Sequence, residues 1–267
     1  MGICKYLIIR KNGYLLRFHP SSLSAANWVG TGERKDDEQF FEDYLKPGDT
    51  FIDIGANIGS NTIVGSRKVG PSGVVHSFEP HPTIYSFLIE NILLNSLRNV
   101  KVYNIALGDR NGFLYFLNQK SDDQNRVIDY RESKGTESIK VLVDTLDNVI
   151  GSDKNEIALI KIDVEGYELL VLHGATEILH HVKCIYFESW EKHFERFGYT
   201  CHDIFIYLIN MGFSLWNIDT LHKIIRPVMA SYTSVRCENI LALRNVEEFV
   251  ALTGYKKMSA EEIKLTS

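Results

Sequence analysis

The feature that most constrains this chain is a regular alternation of short apolar segments with amphipathic segments from Thr50 onward. Buried strands are predicted by TFIDIG, GVVHSFEP, VKVYNIALG, ALIKIDVEG and CIYFESW, and helices by SNTIVGSRKV, TIYSFLIENILLNSL and YELLVLHGATEILHHV. Strands that alternate with helices build a parallel sheet with helices on both faces. We therefore predict an α/β fold with a central, mostly parallel sheet.

The segments outside this alternation predict smaller additions. YLIIRKNGYLLRF predicts an N-terminal β hairpin, because Asn12 and Gly13 both tolerate positive φ. GFLYFL and IKVLVDTL predict strands on either side of a long polar loop, SDDQNRVIDYRESKGTES. GFSLWNI and ENILALR predict a closing antiparallel pair, and the tail predicts a docked helix.

Length and composition predict one domain. The chain has 267 residues, of which 45% are hydrophobic and 24% charged, which suits a single large core. We divide it into an N-terminal hairpin and loop (1–37), a core (38–245) and a C-terminal tail (246–267). The net charge of -5 and the scattered basic residues argue against a nucleic-acid partner.

The cysteines and the apolar runs bear on location. Cys4, Cys184, Cys201 and Cys237 stand far apart without a C-x-x-C pair, so we predict reduced thiols and a cytoplasmic protein rather than a zinc or redox motif. No apolar run is long enough for a bilayer, so we predict no integral membrane segment.

The strongest local signal is DIGANIG, Asp53 to Gly59, between a predicted strand and a predicted helix. Gly55 and Gly59 let the turn close and let a ligand lie against bare backbone. Asn57 stands where a dinucleotide fingerprint needs another glycine, which argues against NAD and ranks an oxidoreductase last. Asp53 can accept hydrogen bonds from the ammonium of a cofactor's amino-acid part, directly or through water.

Two further strand ends complete a candidate nucleoside site. Glu79 ends the second strand, and a carboxylate there can accept hydrogen bonds from both ribose hydroxyls; a solvated turn residue is the alternative. At the next strand end, Ala106 and Leu107 can form an apolar slot for a purine while Asn104 or backbone reads its edge. An ordinary core strand is the alternative there.

LIKIDVEG is unusual for a central strand because Lys161, Asp163 and Glu165 alternate with apolar residues. Burying three charges costs several kcal/mol unless they pair or serve a site. We favour a functional interpretation, and the alternative is a Lys161–Asp163 ion pair beside a helix cap by Glu165.

The combination of DIGANIG, FEP, ALG and KIDVEG resembles the FkbM family of S-adenosylmethionine-dependent methyltransferases over about residues 38–188. The resemblance implies a Rossmann-like class I methyltransferase fold, with a seven-stranded sheet containing one antiparallel strand. It implies S-adenosylmethionine as cofactor and methylation of a hydroxyl, commonly on a sugar or natural product. It also implies that Asp163 and Glu165 lie near the transferring methyl.

From the motifs and the resemblance together we predict these cofactor-binding residues: Asp53, Gly55, Ala56, Asn57, Gly59, Glu79, Pro80, Asn104, Ala106, Leu107 and Asp163. The predicted catalytic residues are Asp163, as base or hydroxyl-orienting group, Glu165, and His193 as the second candidate base. Asp163, Glu165 and Glu188 can alternatively hold a divalent cation, for which the ligand spacing gives no proof, so no metal site is assigned.

Alternative functions stay open at this point. An N-methyltransferase on the same scaffold predicts an NPPY-like loop where this chain has DVEG, and a noncatalytic binding module predicts no cofactor affinity. The expected partner is a small-molecule or glycan acceptor, and a homodimer is compatible with the sequence.

Overall fold

A computed structural model describes residues 7–11, 13–19, 35–118, 126–128, 130–151 and 156–258. Its strands are β1 (Ile8–Lys11), β2 (Tyr14–Arg17), β3 (Thr50–Ile54), β4 (Val74–Phe78), β5 (Val100–Tyr103), β6 (Ala106–Leu107), β7 (Gly112–Leu117), β8 (Val127–Ile128), β9 (Ser138–Asp144), β10 (Ile157–Ile162), β11 (Val182–Ser189), β12 (Ser214–Asp219), β13 (Ile224–Pro227), β14 (Glu238–Leu243) and β15 (Lys256–Lys257).

The helices follow the predicted alternation with the strands. They are α1 (Lys35–Tyr44), α2 (Ser60–Val69), α3 (Pro82–Leu94), α4 (Tyr130–Ser133), α5 (Leu146–Ile150), α6 (Glu168–His173), α7 (Thr176–Leu179), α8 (Glu191–Phe194), α9 (Cys201–Asn210) and α10 (Val246–Thr253), with a 3₁₀ turn at Glu195–Phe197. Among the described residues, no helix combines the length and apolarity needed to cross a bilayer.

The main sheet has nine strands in the order β15-β13-β12-β14-β11-β10-β3-β4-β5. Across the seven neighbouring strands from β12 to β5, β14 runs antiparallel and the other six run parallel to one another. The sheet is two strands wider than the predicted seven. The two additional strands are β13 and β15. After β12 the chain reverses direction to form β13, and the C-terminal tail adds β15 alongside β13.

The strand order creates a crevice at one edge of this sheet. Strands β3, β4 and β5 succeed one another in one direction, whereas β10 and β11 lie on the other side of β3. The loops that leave the carboxyl ends of β3 and β10 therefore diverge, which is where open α/β sheets bind ligands.

The central strands are buried on both faces. Phe51 and Leu159 pack into one hydrophobic cluster, and their chain neighbours Ile52 and Ile160 pack into the other. All four are at most 1% exposed. Because successive strand residues point to opposite faces, both clusters need a cover. Helices α1, α2 and α10 contribute to one cluster, and α6, α7 and α9 contribute to the other.

An antiparallel pair, β1 and β2, lies beside helix α3. The backbone N–H groups of Leu15 and Arg17 donate to the side-chain oxygens of Asn95 (2.9 Å) and Asn91 (2.7 Å). The Asn95 amide donates back to the Leu15 carbonyl at 2.7 Å. These side chains satisfy backbone groups that a strand edge would otherwise leave unpaired. Asn12, in the predicted hairpin turn, lies outside the described residues.

The predicted strand VKVYNIALG is divided between two sheets. β5 belongs to the main sheet, whereas β6 joins a four-stranded sheet in the order β6-β9-β7-β8. At the break, the Asn104 amide donates to the carbonyls of Glu79 (2.8 Å) and Pro80 (3.0 Å). These bonds hold the chain where it leaves the main sheet.

The segment predicted as a long loop, 121–138, is partly regular. It contains β8 and α4, while residues 121–125 and 129 lie outside the described part of the chain. Val127 and Ile128 are 7% and 4% exposed, and β8 pairs with β7. Two buried residues are too short a run to show a period, so the sequence did not reveal this strand.

The predicted helix YELLVLHGATEILHHV is interrupted at Gly174 and forms α6 and α7. A Cβ at Gly174 would lie 1.9 Å from the carbonyl oxygen of Gly108 and 3.3 Å from Cβ of Thr145. The break therefore lets the connection between the two helices lie directly against the start of the small sheet.

We expect Gly174→Ala to lower the free energy of unfolding by about 1 to 3 kcal/mol, because the added methyl requires backbone to move. Gly135→Ala is the matched control, since its nearest neighbour is a carbonyl oxygen 4.0 Å away and neither glycine has positive φ. Chemical denaturation measures both variants. Equal stabilities of the two variants would contradict this account.

Candidate active site

The turn after β3, residues 53–59, is tied to the end of the neighbouring strand β4. The backbone N–H groups of Gly55 and Ala56 both donate to the carbonyl of Phe78, at 3.0 and 2.9 Å. Gly55 and Asn57 have positive φ values of 80° and 51°. The turn therefore folds closely over the carboxyl end of the sheet before helix α2 begins.

The two glycines of this turn allow close packing within the protein. A Cβ at Gly55 would lie 1.9 Å from the carbonyl oxygen of Asp163, after β10. A Cβ at Gly59 would lie 2.6 Å from Cδ1 of Leu88 in α3. The sequence predicts that these glycines let the turn close and let a ligand lie against bare backbone. The structure adds that they let the turn after β3 pack closely against the segment after β10 and against helix α3.

Glu79, directly after β4, is held by two backbone donors. Its Oε2 accepts a hydrogen bond from the N–H of Asn57 (3.0 Å), and its Oε1 accepts one from the N–H of His81 (2.9 Å). The residue is 7% exposed. A carboxylate oxygen has two acceptor positions, so these backbone hydrogen bonds are compatible with one from a ligand hydroxyl. The two donors fix the orientation of the carboxylate.

These elements border a cleft of about 830 Å³, part of which is open to solvent. Its lining combines polar groups with a larger set of apolar side chains. The lining residues are Ile54, Gly55, Asn57, Phe78, Glu79, Pro80, Ile84, Ile105, Ala106, Leu107, Phe116, Val127, Asp163, Val164, Glu165 and Tyr167.

Seven of the predicted cofactor residues line this cleft: Gly55, Asn57, Glu79, Pro80, Ala106, Leu107 and Asp163. Of the other four, Ala56 and Gly59 are buried in the turn, and Asn104 is exposed. The Asn104 amide, predicted to read a purine edge, instead donates to the Glu79 and Pro80 carbonyls. These hydrogen bonds let Asn104 position the segment that follows β4.

Asp53 lies beneath the cleft in a buried polar network. Its side chain is 0% exposed, and its Oδ2 accepts a hydrogen bond from the Thr62 hydroxyl at 2.6 Å. The Thr62 hydroxyl also lies 3.0 Å from that of Ser77 on β4. Asp53 therefore does not line the cleft surface, and its contact with a cofactor ammonium, directly or through water, stays a prediction.

Lys161 joins this network to the cleft. Its ammonium is 3.0 Å from Oδ2 of Asp163 and 3.9 Å from Oδ1 of Asp53. The Lys161 side chain is 3% exposed, whereas that of Asp163 is 23% exposed. The predicted Lys161–Asp163 ion pair is present. Lys161 therefore holds Asp163 at the cleft surface.

The turn after β10 is capped by Glu168 and not by Glu165. Oε1 of Glu168 accepts hydrogen bonds from the N–H groups of Val164 (3.1 Å) and Gly166 (3.3 Å). Burial, followed by the negative charge of Glu188, raises the pKa of Glu168 to about 8. The sequence alternative of a Glu165 cap is wrong, because Glu168 accepts these backbone hydrogen bonds and Oε2 of Glu165 lies 3.5 Å from Nδ1 of His193.

Glu165 faces other acidic groups. Burial and the charges of Asp163, Glu188 and Glu168 raise the pKa of Glu165 to about 9. Its Oε2 lies 3.5 Å from Nδ1 of His193. At neutral pH the Glu165 carboxyl therefore keeps its proton, and a positive group placed beside it would favour the ionised form.

His193, the second candidate base, lies close to Glu165 and Glu188 but is not among the residues that line the cleft. It is 7% exposed, and its Nδ1 lies 3.6 Å from Oε2 of Glu188. The structure therefore brings His193 together with Glu165 and Glu188, on the β11 side of the cleft, and places Asp163 nearer to the turn after β3.

Sequence reasoning missed several residues of the site. The apolar lining from Ile84, Phe116, Val127 and Tyr167 comes from helix α3, the small sheet and the start of α6. Thr62 in α2 and Glu168 in α6 support the two turns. One signal was available, since YELL places an acidic residue in the first turn of a helix, where carboxylates commonly bind backbone N–H groups.

The sequence matches the family model described as "Methyltransferase FkbM domain" over residues 53–215. It is 34% identical over 152 residues to "Methyltransferase 1" of Beauveria bassiana (strain ARSEF 2860), a match covering 49% of this chain and 60% of that protein. It is 32% identical over 179 residues to "Methyltransferase sdnD" of Sordaria araneosa, covering 54% of this chain and 68% of that protein.

The chain also matches solved structures, at lower sequence identity. A SAM-dependent methyltransferase from Aquifex aeolicus has a TM-score of 0.46 at 16% identity, over 85% of this chain and 100% of that one. A SAM-dependent O-methyltransferase from Thermotoga maritima has a TM-score of 0.44 at 17% identity, over 89% of this chain and 77% of that one.

We expect Glu168→Gln to flatten the pH dependence of stability between about pH 5 and about pH 8. The folded chain keeps a proton on Glu168 that the unfolded chain releases near its ordinary pKa of 4.5. Stability therefore falls as the pH rises through this window, by up to about 1.4 kcal/mol per pH unit for one group. Glutamine keeps the acceptor oxygen and cannot ionise.

Chemical denaturation across this window measures the effect. The control is Glu177→Gln, which neutralises an exposed carboxylate in α7. If Glu168→Gln and the wild type lose stability at the same rate with pH, Glu168 does not hold the proton.

Proposed function

This chain belongs to the FkbM methyltransferase family, and we propose that it transfers the methyl group of S-adenosylmethionine to a hydroxyl oxygen of a small-molecule or glycan acceptor. The observation that carries this proposal is the Glu79 carboxylate, which two backbone donors fix at the edge of a largely apolar cleft. A fixed carboxylate beside an apolar slot suits the ribose and purine of a nucleoside.

The cofactor's three parts have separate places in this proposal. Glu79 accepts hydrogen bonds from the ribose hydroxyls. The purine lies against the apolar lining that includes Ala106, Leu107 and Phe116. The amino-acid part lies along the turn that contains Gly55, whose backbone borders the cleft.

The acidic edge of the cleft suits the sulfonium. Asp163 and Glu165 both line the cleft, and a sulfonium beside Glu165 would favour the ionised form of that carboxyl, whose pKa its surroundings otherwise raise. The transferring methyl group would therefore lie near the loops that leave β3 and β10, with the nucleoside on the β4 and β5 side. The acceptor would approach from the β10 and β11 side.

The reaction needs alignment and the removal of one proton. A lone pair on the acceptor oxygen attacks the methyl carbon, the carbon–sulfur bond breaks, and its electron pair returns to sulfur, which leaves a neutral thioether. Positioning supplies much of the acceleration, because the sulfonium is already an activated donor. Asp163, which Lys161 orients at the cleft, accepts the hydroxyl proton, and His193 is the second candidate.

A methyl-transfer screen tests the proposal. Purified chain is incubated with S-adenosylmethionine carrying a mass-shifted methyl group and with hydroxylated natural products, glycolipids and free glycans, and the products are analysed by mass spectrometry. Transfer to an oxygen is the expected result. Transfer to nitrogen alone, or no cofactor binding by calorimetry, would overturn it.

We expect Glu79→Ala to weaken S-adenosylmethionine binding by about 1 to 3 kcal/mol, roughly 5- to 150-fold in Kd, because hydrogen bonds to a charged group are lost. Isothermal titration calorimetry measures the change. Glu90→Ala is the control, since Glu90 is half-exposed in α3 and pairs with Arg17. An unchanged Kd in Glu79→Ala would remove Glu79 from the ribose site.

Asp163→Asn is expected to keep cofactor affinity within a few-fold while kcat falls on the order of 10²- to 10⁴-fold, the usual contribution of a general base. Asp219→Asn on β12, whose carboxylate accepts from His222, controls for the loss of an acidic group. Measuring Kd and kcat separately distinguishes binding from turnover. Normal kcat in Asp163→Asn would move the base elsewhere, with His193 next.

A further inference from the structure

Three side chains at the β11 side of the cleft form a cluster: Glu165 after β10, Glu188 in β11 and His193 in α8. We propose that the Glu165–Glu188–His193 cluster binds one divalent metal cation. Each side chain offers one ligand atom, and these three atoms lie within 4.8 Å of one another.

The histidine is the observation that separates this cluster from an ordinary acidic patch. The His193 side chain is 9% exposed. Its Nδ1 is buried and has no hydrogen-bond partner among the residues that the structure describes. That nitrogen faces Oε2 of Glu165 at 3.5 Å and Oε2 of Glu188 at 3.6 Å. A buried nitrogen that lies near two carboxylate oxygens and makes no hydrogen bond is left unsatisfied. A cation bound between the three atoms would satisfy it.

The distances fit a shared cation. Ligand atoms about 2.1 Å from a metal are separated by roughly 3.0 to 3.4 Å at octahedral or tetrahedral angles. The observed separations of 3.5 and 3.6 Å from nitrogen to each oxygen are slightly longer. The two carboxylate ligand atoms lie within 4.8 Å of each other, so coordination of one cation by all three groups requires the side chains to move closer together.

The cluster is also anchored in ways that suit ligands. Oε1 of Glu188 accepts a hydrogen bond from the Cys237 thiol at 3.0 Å, which leaves Oε2 directed at His193. A Cβ at Gly166 would lie 2.6 Å from the carbonyl oxygen of His193, so this glycine lets α8 approach the turn that carries Glu165. Ligands held by such outer contacts bind metals more tightly.

The donor set indicates the kind of cation. Two carboxylates and one imidazole mix ligands preferred by Mn²⁺ with one preferred by Zn²⁺, and their charge balances a divalent ion. Three protein ligands leave positions for water or for substrate oxygen. A cation of this type lowers the pKa of a bound hydroxyl.

The cluster's position suggests what the cation does, and this step rests on the proposed function. Glu165 lines the cleft, and Glu188 lies on β11, on the far side of β3 from Glu79. A cation there faces the acceptor side. It binds the acceptor hydroxyl, whose proton passes to Asp163 or water, and the resulting alkoxide attacks the methyl carbon as the carbon–sulfur bond breaks.

Mn²⁺ titration tests the site directly. The 267-residue chain is treated with chelator under reducing conditions. It is then titrated with Mn²⁺, and binding is followed by electron paramagnetic resonance and by calorimetry. The variants are Glu188→Gln and His193→Gln. Glu195→Gln is the matched control, because Glu195 is exposed and lies two residues from His193. Circular dichroism checks that each variant folds.

We expect one Mn²⁺ per chain in the wild type and in Glu195→Gln, and a 10- to 100-fold or greater loss of affinity in the other two variants, on the order of losses at known sites. No stoichiometric binding in the wild type overturns the inference. Unchanged affinity in both folded cluster variants overturns it as well.

A parallel titration with S-adenosylmethionine keeps the two proposals apart. If the metal-free chain binds S-adenosylmethionine but no Mn²⁺, the cation site is wrong and the proposed function stands. If Mn²⁺ binds through the cluster but S-adenosylmethionine does not bind, the cation site stands and the proposed function fails.

Discussion

The crevice depends on the interaction of the buried Lys161 ammonium with Asp53 and Asp163. Lys161 and Asp53 are direct neighbours on the parallel strands β10 and β3, and both side chains are almost fully buried. A charge in this place is costly unless a partner compensates it, and Asp163 at 3.0 Å and Asp53 at 3.9 Å do so. The network therefore couples the ends of the two strands whose loops diverge.

Close backbone packing also holds these loops together. Gly55 admits the carbonyl of Asp163, and Gly166 admits that of His193, so that loops from three strands meet without side chains between them. Glu79 is positioned in the same way, by backbone N–H groups of the turn after β3 and of the segment before α3. The Glu79 carboxylate is thus held by backbone, which moves less than side chains do.

This organisation divides the crevice by charge. The side formed by β3, β4 and β5 presents one fixed carboxylate among apolar residues, whereas the side formed by β10 and β11 gathers several acidic groups and one histidine. The proposed methyl transfer and the proposed cation site assign separate tasks to these two sides. Asp163 lies where the sides meet, and Lys161 links it to the core.

The sequence by itself determined the α/β alternation, the turn after β3 and the position of Glu79, Asp163 and Glu165 after the ends of strands. Hydrophobic periodicity and composition predict these features, because buried strands and glycine turns have characteristic local sequence patterns. Tertiary structure alone decided the nine-stranded sheet, the placement of Asp53 beneath the cleft, the Glu168 cap and the meeting of Glu188 with His193. Those features depend on which distant segments approach one another, and a local pattern carries no information about the separation of atoms in space.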